Sequence, residues 1–196
     1  MVLATKNKKK VEEIQRVLAG LPVTLLTIAD FPDMPDVVED GDTFEANAVK
    51  KGVEIARHTG CMALADDSGL VVDALDGAPG VYSARFAGPD ADDLANSEKL
   101  LRDLEAVPEE KRSARFVCVL ALVDAQGKVH TFEGKSEGTI GWTPKGVNGF
   151  GYDPLFYPQG HRRTFAEMSN QEKDERSHRG FALVEFARFM KASQTS

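Results

Sequence analysis

"ARFVCVLALVD", residues 114–124, is apolar at nearly every position. A strand with one wet face alternates apolar and polar side chains, whereas a strand covered on both faces stays apolar throughout. The run therefore reads as a central strand between two layers, and it sets the fold class as α/β. The "DAQG" turn at 124–127 follows. "KVHTFEGKSEGTI", 128–140, alternates more, as expected of a strand that pairs back antiparallel.

Upstream, "VLAT" at 2–5 reads as a short buried strand, followed by a helix over 9–19 with Val11, Ile14, Val17 and Leu18 on one face. "VTLLT" at 23–27 reads as a second strand, and the Pro- and Asp-rich stretch 31–42 as a loop. A helix is expected from Thr43 to Gly60, with Phe44, Ala48, Ile55 and Ala56 inward and Gly60 at the C-cap. "CMALADDSGLVVDAL", 61–75, reads as a hairpin of two apolar runs broken by a tight "DDSG" turn. Residues 95–107 read as a helix, 146–157 as a glycine-rich loop entering a short strand, and 177–190 as a last helix with Ser177 as N-cap. Hairpin-joined strands interleaved with helices imply a mixed twisted sheet flanked by helices, not the parallel sheet of a dinucleotide fold. No GxGxxG or GxxxxGK[ST] sequence is present.

The 196 residues carry a formal net charge of -7, with 42% hydrophobic and 28% charged side chains. An acidic chain repels an extended polyanion, which disfavours a nucleic-acid partner, but a local pocket of lysines and backbone N–H groups still suits a compact phosphate ligand. With no linker or low-complexity stretch, 1–196 is expected to form a single domain. The N-terminal apolar segment is too short for a signal peptide and no run reaches the roughly 18 apolar residues of a membrane span, so the expected location is cytoplasmic. Cys61 and Cys118 sit in apolar contexts and read as reduced core residues.

Four segments carry chemistry, the second of them, Asp66 and Asp67, supported by Glu39 and the helix after it. In "TKNKKK", 5–10, Thr5, Asn7 and Lys10 follow a strand and open a helix whose free N–H groups attract anions, while Lys8 and Lys9 read as solvated. Asp66 and Asp67 are adjacent carboxylates that call for a cation, and an Asx-turn is the plainer alternative. Glu39 precedes a helix that presents Asn47 and Lys51 one turn apart, and hard oxygens without His or Cys suit Mg²⁺ or Mn²⁺. In "GFGYD", 149–153, the glycines permit close approach, and Phe150 and Tyr152 offer either a flat face to a base or simple packing. Lys173, His178 and Arg179 place basic groups beside a helix N-terminus, against its dipole, which suits an anionic or carbonyl-bearing ligand. Each segment lies where a loop meets a strand or helix end, and together they form an inventory for a nucleoside triphosphate.

These segments, in this order and over nearly the whole chain, resemble the Ham1-like inosine triphosphate pyrophosphatases, which clear noncanonical purine nucleotides from the pool. The resemblance runs from "LATKNKKKVEEI" through "EDGDTFEANAVKK", "ALADDSGLVVDALDGAPGVYSARFAG" and "GFGYDPLF" to "SHRG". It implies Mg²⁺-dependent hydrolysis of ITP, dITP and XTP to the monophosphate and pyrophosphate. It also implies an elongated mixed sheet in two lobes with a central substrate cleft, and a homodimer. Carried over position by position, Thr5, Lys6, Asn7, Lys8, Lys9 and Lys10 would grip phosphates, and Lys51 would pair with phosphate. Asp67 would be the proton acceptor and a metal ligand, with Glu39 and Asp66 helping to hold the metal and Ser68 touching substrate. Phe150, Gly151, Tyr152, Asp153, Lys173, His178 and Arg179 would form the nucleoside end. Lys6 stands where many members have glycine, and Tyr152 where some have tryptophan. Two other readings remain open: a pyrophosphatase for pyrimidine or ordinary nucleotides, and a non-catalytic nucleotide or nucleic-acid binder.

Overall fold

The computed structural model describes residues 1–124 and 126–193. Strands β1 (Val2–Ala4), β2 (Leu26–Thr27), β3 (Ala63–Val72), β4 (Ser113–Val123), β5 (Val129–Ile140) and β6 (Phe156–Pro158) form one sheet in the order β2-β1-β3-β4-β5-β6. β1 pairs parallel with β2 and β3, whereas β6 pairs antiparallel with β5. The sheet is therefore mixed, as hairpins interleaved with helices predict. Helices α1 (Lys8–Leu18), α2 (Phe44–Thr59), α3 (Asp93–Asp103), α4 (Asn170–Asp174) and α5 (His178–Ser193) complete the α/β fold. The apolar run at 114–124 falls in β4, buried at every position from Phe116 to Val123.

The helices start and stop on local signals. Asn7 caps α1 by accepting from Lys9 N and Lys10 N at 3.0 and 3.2 Å. Thr43 caps α2 by accepting from Ala46 N at 3.1 Å, and Gly60 ends that helix at φ 64°, a left-handed conformation that glycine adopts without a Cβ clash.

The chain forms two compact units. The first comprises 1–67, 118–134 and 179–196, the second 68–117 and 135–178. In the first unit the period-2 alternation of strands sorts side chains onto two faces. Leu64, Cys118, Leu120 and Leu122 pack with Ile14 and Leu18 of α1 and with Leu183 and Phe186 of α5. Ala63, Ala65, Val2 and Val123 pack with Ile55 and Ala56 of α2. The small residues of this second face let α2 lie close to the sheet, and a Cβ on Gly52 would stand 2.8 Å from a Val123 methyl.

The second unit buries Leu70, Val72, Leu100, Leu104, Phe116, Phe156 and Phe165 in one cluster. At its edge Arg112, 1% exposed, donates to the carbonyls of Leu104, Ile140 and Gly141 at 2.7 to 2.9 Å and lies under Trp142 at 4.0 Å from the ring centre.

Two expectations need correction. Residues 61–75 are not a hairpin: β3 runs unbroken through Asp66, Asp67, Ser68 and Gly69. Gly69 is absent from the residues with positive φ, so nothing turns there. β3 lies between β1 and β4, and a strand flanked on both sides satisfies its backbone in the ladder instead of in a turn. β2 is also shorter than the apolar run 23–27 suggests, spanning Leu26–Thr27.

Candidate active site

The unbroken β3 separates its two acids. Asp66 shares the parity of Leu64 and faces α1 and α5, whereas Asp67 shares the parity of Ala63 and Ala65 and faces α2. They are adjacent in sequence and belong to opposite faces.

On the α1/α5 face, Asp66 is 1% exposed. One of its oxygens pairs with the Lys10 ammonium, and Oδ2 accepts from Arg179 Nε at 3.1 Å and from the Cys118 thiol at 3.3 Å. The far side of the Arg179 guanidinium binds the buried Glu13 carboxylate. The result is a chain of alternating charge, Glu13, Arg179, Asp66 and Lys10. Desolvation pushes the Asp66 carboxyl up, but Arg179 and Lys10 outweigh it and hold it well below the usual carboxylate range. Burial and the neighbouring Asp66 charge push the Cys118 thiol up, so it stays a protonated donor.

On the α2 face, Asp67 is 6% exposed, and Asn47 Nδ2 donates to its Oδ2 at 3.1 Å. Burial pushes the Asp67 carboxyl above its ordinary value, and the nearby Glu39 charge adds to the effect, while Lys10, Lys51 and Asn47 oppose it. Lys51 spans 2.5 Å to Glu39 Oε1 and donates to the Asp66 main-chain carbonyl at 3.0 Å. Two neighbouring carboxylates thus differ sharply: Asp66 is a fixed anion in an ion-pair chain, and Asp67 is a carboxylate of raised proton affinity between two lysines.

The segment 5–10 divides its labour. Lys10 reaches Asp66, Asn7 caps α1, and Lys6 forms an ion pair with Asp36. Thr5 Oγ1 accepts from Asn7 N at 3.2 Å, and Lys8 and Lys9 are exposed, as the sequence suggests. Thr5, Lys6 and Lys8 line a cavity of about 540 Å³ whose other walls include Val11, Ile28, Ala29 and Met34.

Most of the nucleoside-end residues lie in the second unit. The Lys173 ammonium, on a side chain 5% exposed, binds Asp153 Oδ2 at 2.6 Å and lies 4.8 Å from the Phe150 ring centre. The same Asp153 oxygen accepts from Phe150 N at 2.9 Å, and the Gly151 N–H donates to Asp93 at 2.8 Å. Gly149, at φ 74°, sits so close over Asp153 that a Cβ there would be 2.0 Å from Oδ2. His178 stacks on Phe116 at 4.7 Å, and Ser68 is half-buried in β3. Tyr152 is a core residue whose hydroxyl donates to Ser83 O at 2.8 Å, so its ring packs and presents no open face. Arg179 belongs to the first unit, where its guanidinium binds Glu13 and Asp66.

Sequence reasoning left Glu13 unremarked, read Cys118 only as a reduced core residue, and noted Asn47 without placing it in the site. A signal for Asn47 existed. It lies one turn before Lys51 on the inward side of α2, where an amide needs partners. Among the described residues no group of three or more His, Cys, Asp or Glu side chains could hold a metal by itself. With Asp66 committed to the opposite face, Glu39 and Asp67 offer two hard carboxylates. That donor set fits Mg²⁺, which takes one or two protein carboxylates and completes its shell with water and substrate phosphates.

Known proteins share this architecture. The sequence profile of the Ham1 family matches residues 1–189. A dITP/XTP pyrophosphatase of Geobacter sulfurreducens is 56% identical over 184 residues, 94% of this chain and 92% of that protein. One of Desulforamulus reducens is 54% identical over 93% of this chain and 91% of its own. A HAM1 protein structure from Coxiella burnetii superposes with a TM-score of 0.89 at 44% identity, covering 97% of this chain and 98% of that one. On this profile match, these identities and this superposition, the chain belongs to the Ham1 family.

Proposed function

We propose that this chain hydrolyses dITP, XTP and ITP to the nucleoside monophosphate and pyrophosphate with Mg²⁺, removing these nucleotides before they enter DNA or RNA. The reading rests on one observation above all: a buried Asp67 of raised proton affinity beside Glu39, between Lys10 and Lys51, in a Ham1 chain. Its relatives from Geobacter sulfurreducens and Desulforamulus reducens are dITP/XTP pyrophosphatases.

In this proposal Lys10 and Lys51 stabilise phosphate oxygens, and Asp67 orients the attacking water and accepts its proton. In the metal-free chain burial raises the proton affinity of Asp67, and a cation on the same carboxylate would oppose that rise, so orienting the water is the larger part of its role. Glu39 and Asp67 would hold the Mg²⁺, and when bound it would supply charge neutralisation and Lewis acidity at the triphosphate. In the second unit, Lys173 and His178 are the donors assigned to the purine's 6-keto edge, with Asp153 fixing the Lys173 ammonium. Adenine presents an amine where these bases present a carbonyl, and each unpaired donor costs about 1–3 kcal/mol. Arg179 is not assigned to the base, because its guanidinium binds Glu13 and Asp66. The proposal extends to a cytoplasmic homodimer, which light scattering of the purified protein checks.

The test measures products from dITP, XTP, ITP, ATP and GTP with Mg²⁺ or with chelator, resolving pyrophosphate from orthophosphate. Pyrophosphate from the first three, little from ATP, and loss both with chelator and in Asp67→Asn support the reading. Orthophosphate release, equal turnover of ATP, or an active Asp67→Asn overturns it.

A further inference from the structure

We infer that Asn47 is a positioning residue that locks the loop carrying Glu39 onto Asp67 and so fixes the spacing of the two carboxylates. Asn47 is 1% exposed, and its amide makes three directed contacts. Oδ1 accepts from Gly41 N at 2.8 Å, while Nδ2 donates to Gly41 O at 3.3 Å and to Asp67 Oδ2 at 3.1 Å. The reversed amide would set its oxygen against two acceptors and its NH₂ against a donor, so this orientation is the one the partners allow.

The loop side is fitted as closely as the carboxylate side. A Cβ on Gly41 would stand 2.8 Å from Asn47 Oδ1 and 3.0 Å from Ala46 Cβ, so a side chain there displaces the amide. Gly41 lies two residues after Glu39, and the amide that holds its N–H and carbonyl also holds Asp67. Groups that orient metal-binding carboxylates in this way change metal affinity or activity by roughly 10–100-fold when removed.

The inference rests on the metal reading proposed above, so its test includes a measurement that does not. Amide exchange at Gly41 and binding of Mn²⁺, followed by its electron paramagnetic resonance signal, are measured on the substrate-free protein for wild type, Asn47→Ala and Gly41→Ala. Expected are slow Gly41 exchange in wild type that becomes fast in Asn47→Ala, Mn²⁺ binding weakened about 10–100-fold in both variants, and pyrophosphate release that recovers at high Mn²⁺. Because metal also rescues a merely destabilised fold by mass action, the variants are compared below their melting temperatures, where loss of Mn²⁺ affinity reports the site and not the folded fraction. Unchanged Gly41 exchange, unchanged Mn²⁺ binding, or activity that metal fails to restore overturns the inference. Should Asn47→Ala not fold, Gly41→Ala carries the metal measurement. Should wild type take up no Mn²⁺, the metal reading fails, and Gly41 exchange alone decides whether Asn47 locks the loop.

Discussion

Replacing each of two adjacent aspartates by asparagine should separate stability from chemistry. Asp66 stands between Arg179, whose side chain is 2% exposed, and Lys10, at 15%. Removing one partner of a buried ion pair costs about 3–5 kcal/mol, because the other charge stays behind. Arg179 keeps Glu13 and Lys10 is partly hydrated, which places Asp66→Asn near the low end, about 3 kcal/mol. For a chain of this length each kcal/mol moves Tm by about 2–4 °C, so the variant should melt about 6–12 °C below wild type. Asp67 behaves differently. Its burial disfavours the charged form, so a neutral amide of the same shape removes a desolvation cost, and its side-chain oxygen can still accept from Asn47. Asp67→Asn should melt within about 2 °C of wild type or above it while losing pyrophosphate release. Calorimetry at pH 7, read beside the product assay, tests both halves. An Asp66→Asn variant that melts with wild type, or an Asp67→Asn variant that loses as much stability, would refute the opposite-face reading of β3.

The same ion-pair chain predicts a pH dependence. The Asp66 pKa is strongly depressed in the fold, so its contribution is complete above its unfolded value near 4 and is lost progressively as pH falls toward the folded value; the Tm gap between wild type and Asp66→Asn should narrow steadily below pH 4. Gly52→Ala should cost about 1–3 kcal/mol in urea unfolding, since its Cβ meets Val123, and Val123→Ala in the same chain should recover part of that. Lys173→Met should destabilise by about 3–5 kcal/mol, because Asp153 is 2% exposed, and adding Asp153→Asn should restore much of the loss. Additivity in that cycle would mean the pair is not coupled.

Much of the fold is legible locally. The apolar run at 114–124 does find the middle of the sheet, because continuous apolarity has one cheap solution, burial on both faces. Caps at Thr43 and Gly60 mark α2, since their hydrogen bonds are made within a few residues. "DDSG" misleads for the opposite reason. Turn chemistry is local, whereas the partners that keep these acids in a strand come from Lys10, Asn47 and Arg179, distant in sequence. Arg179 shows the same limit, since the carboxylates that bind its guanidinium, Glu13 and Asp66, are distant in sequence. Tyr152 shows another, since an aromatic beside glycines fits a base platform or a core equally well until Ser83 O is seen accepting its hydroxyl.

Among the described residues two guanidinium groups are buried, those of Arg112 and Arg179, and they place different demands on their surroundings. Arg112 is addressed to main-chain carbonyls at 104, 140 and 141, which persist whatever side chains stand there. Its neighbours are therefore free to drift while the arginine stays fixed. Arg179 is addressed to the side chains of Glu13 and Asp66, so none of the three can change alone. Among related sequences, position 112 should be solitary in its constancy, whereas 13, 66 and 179 should change together or not at all.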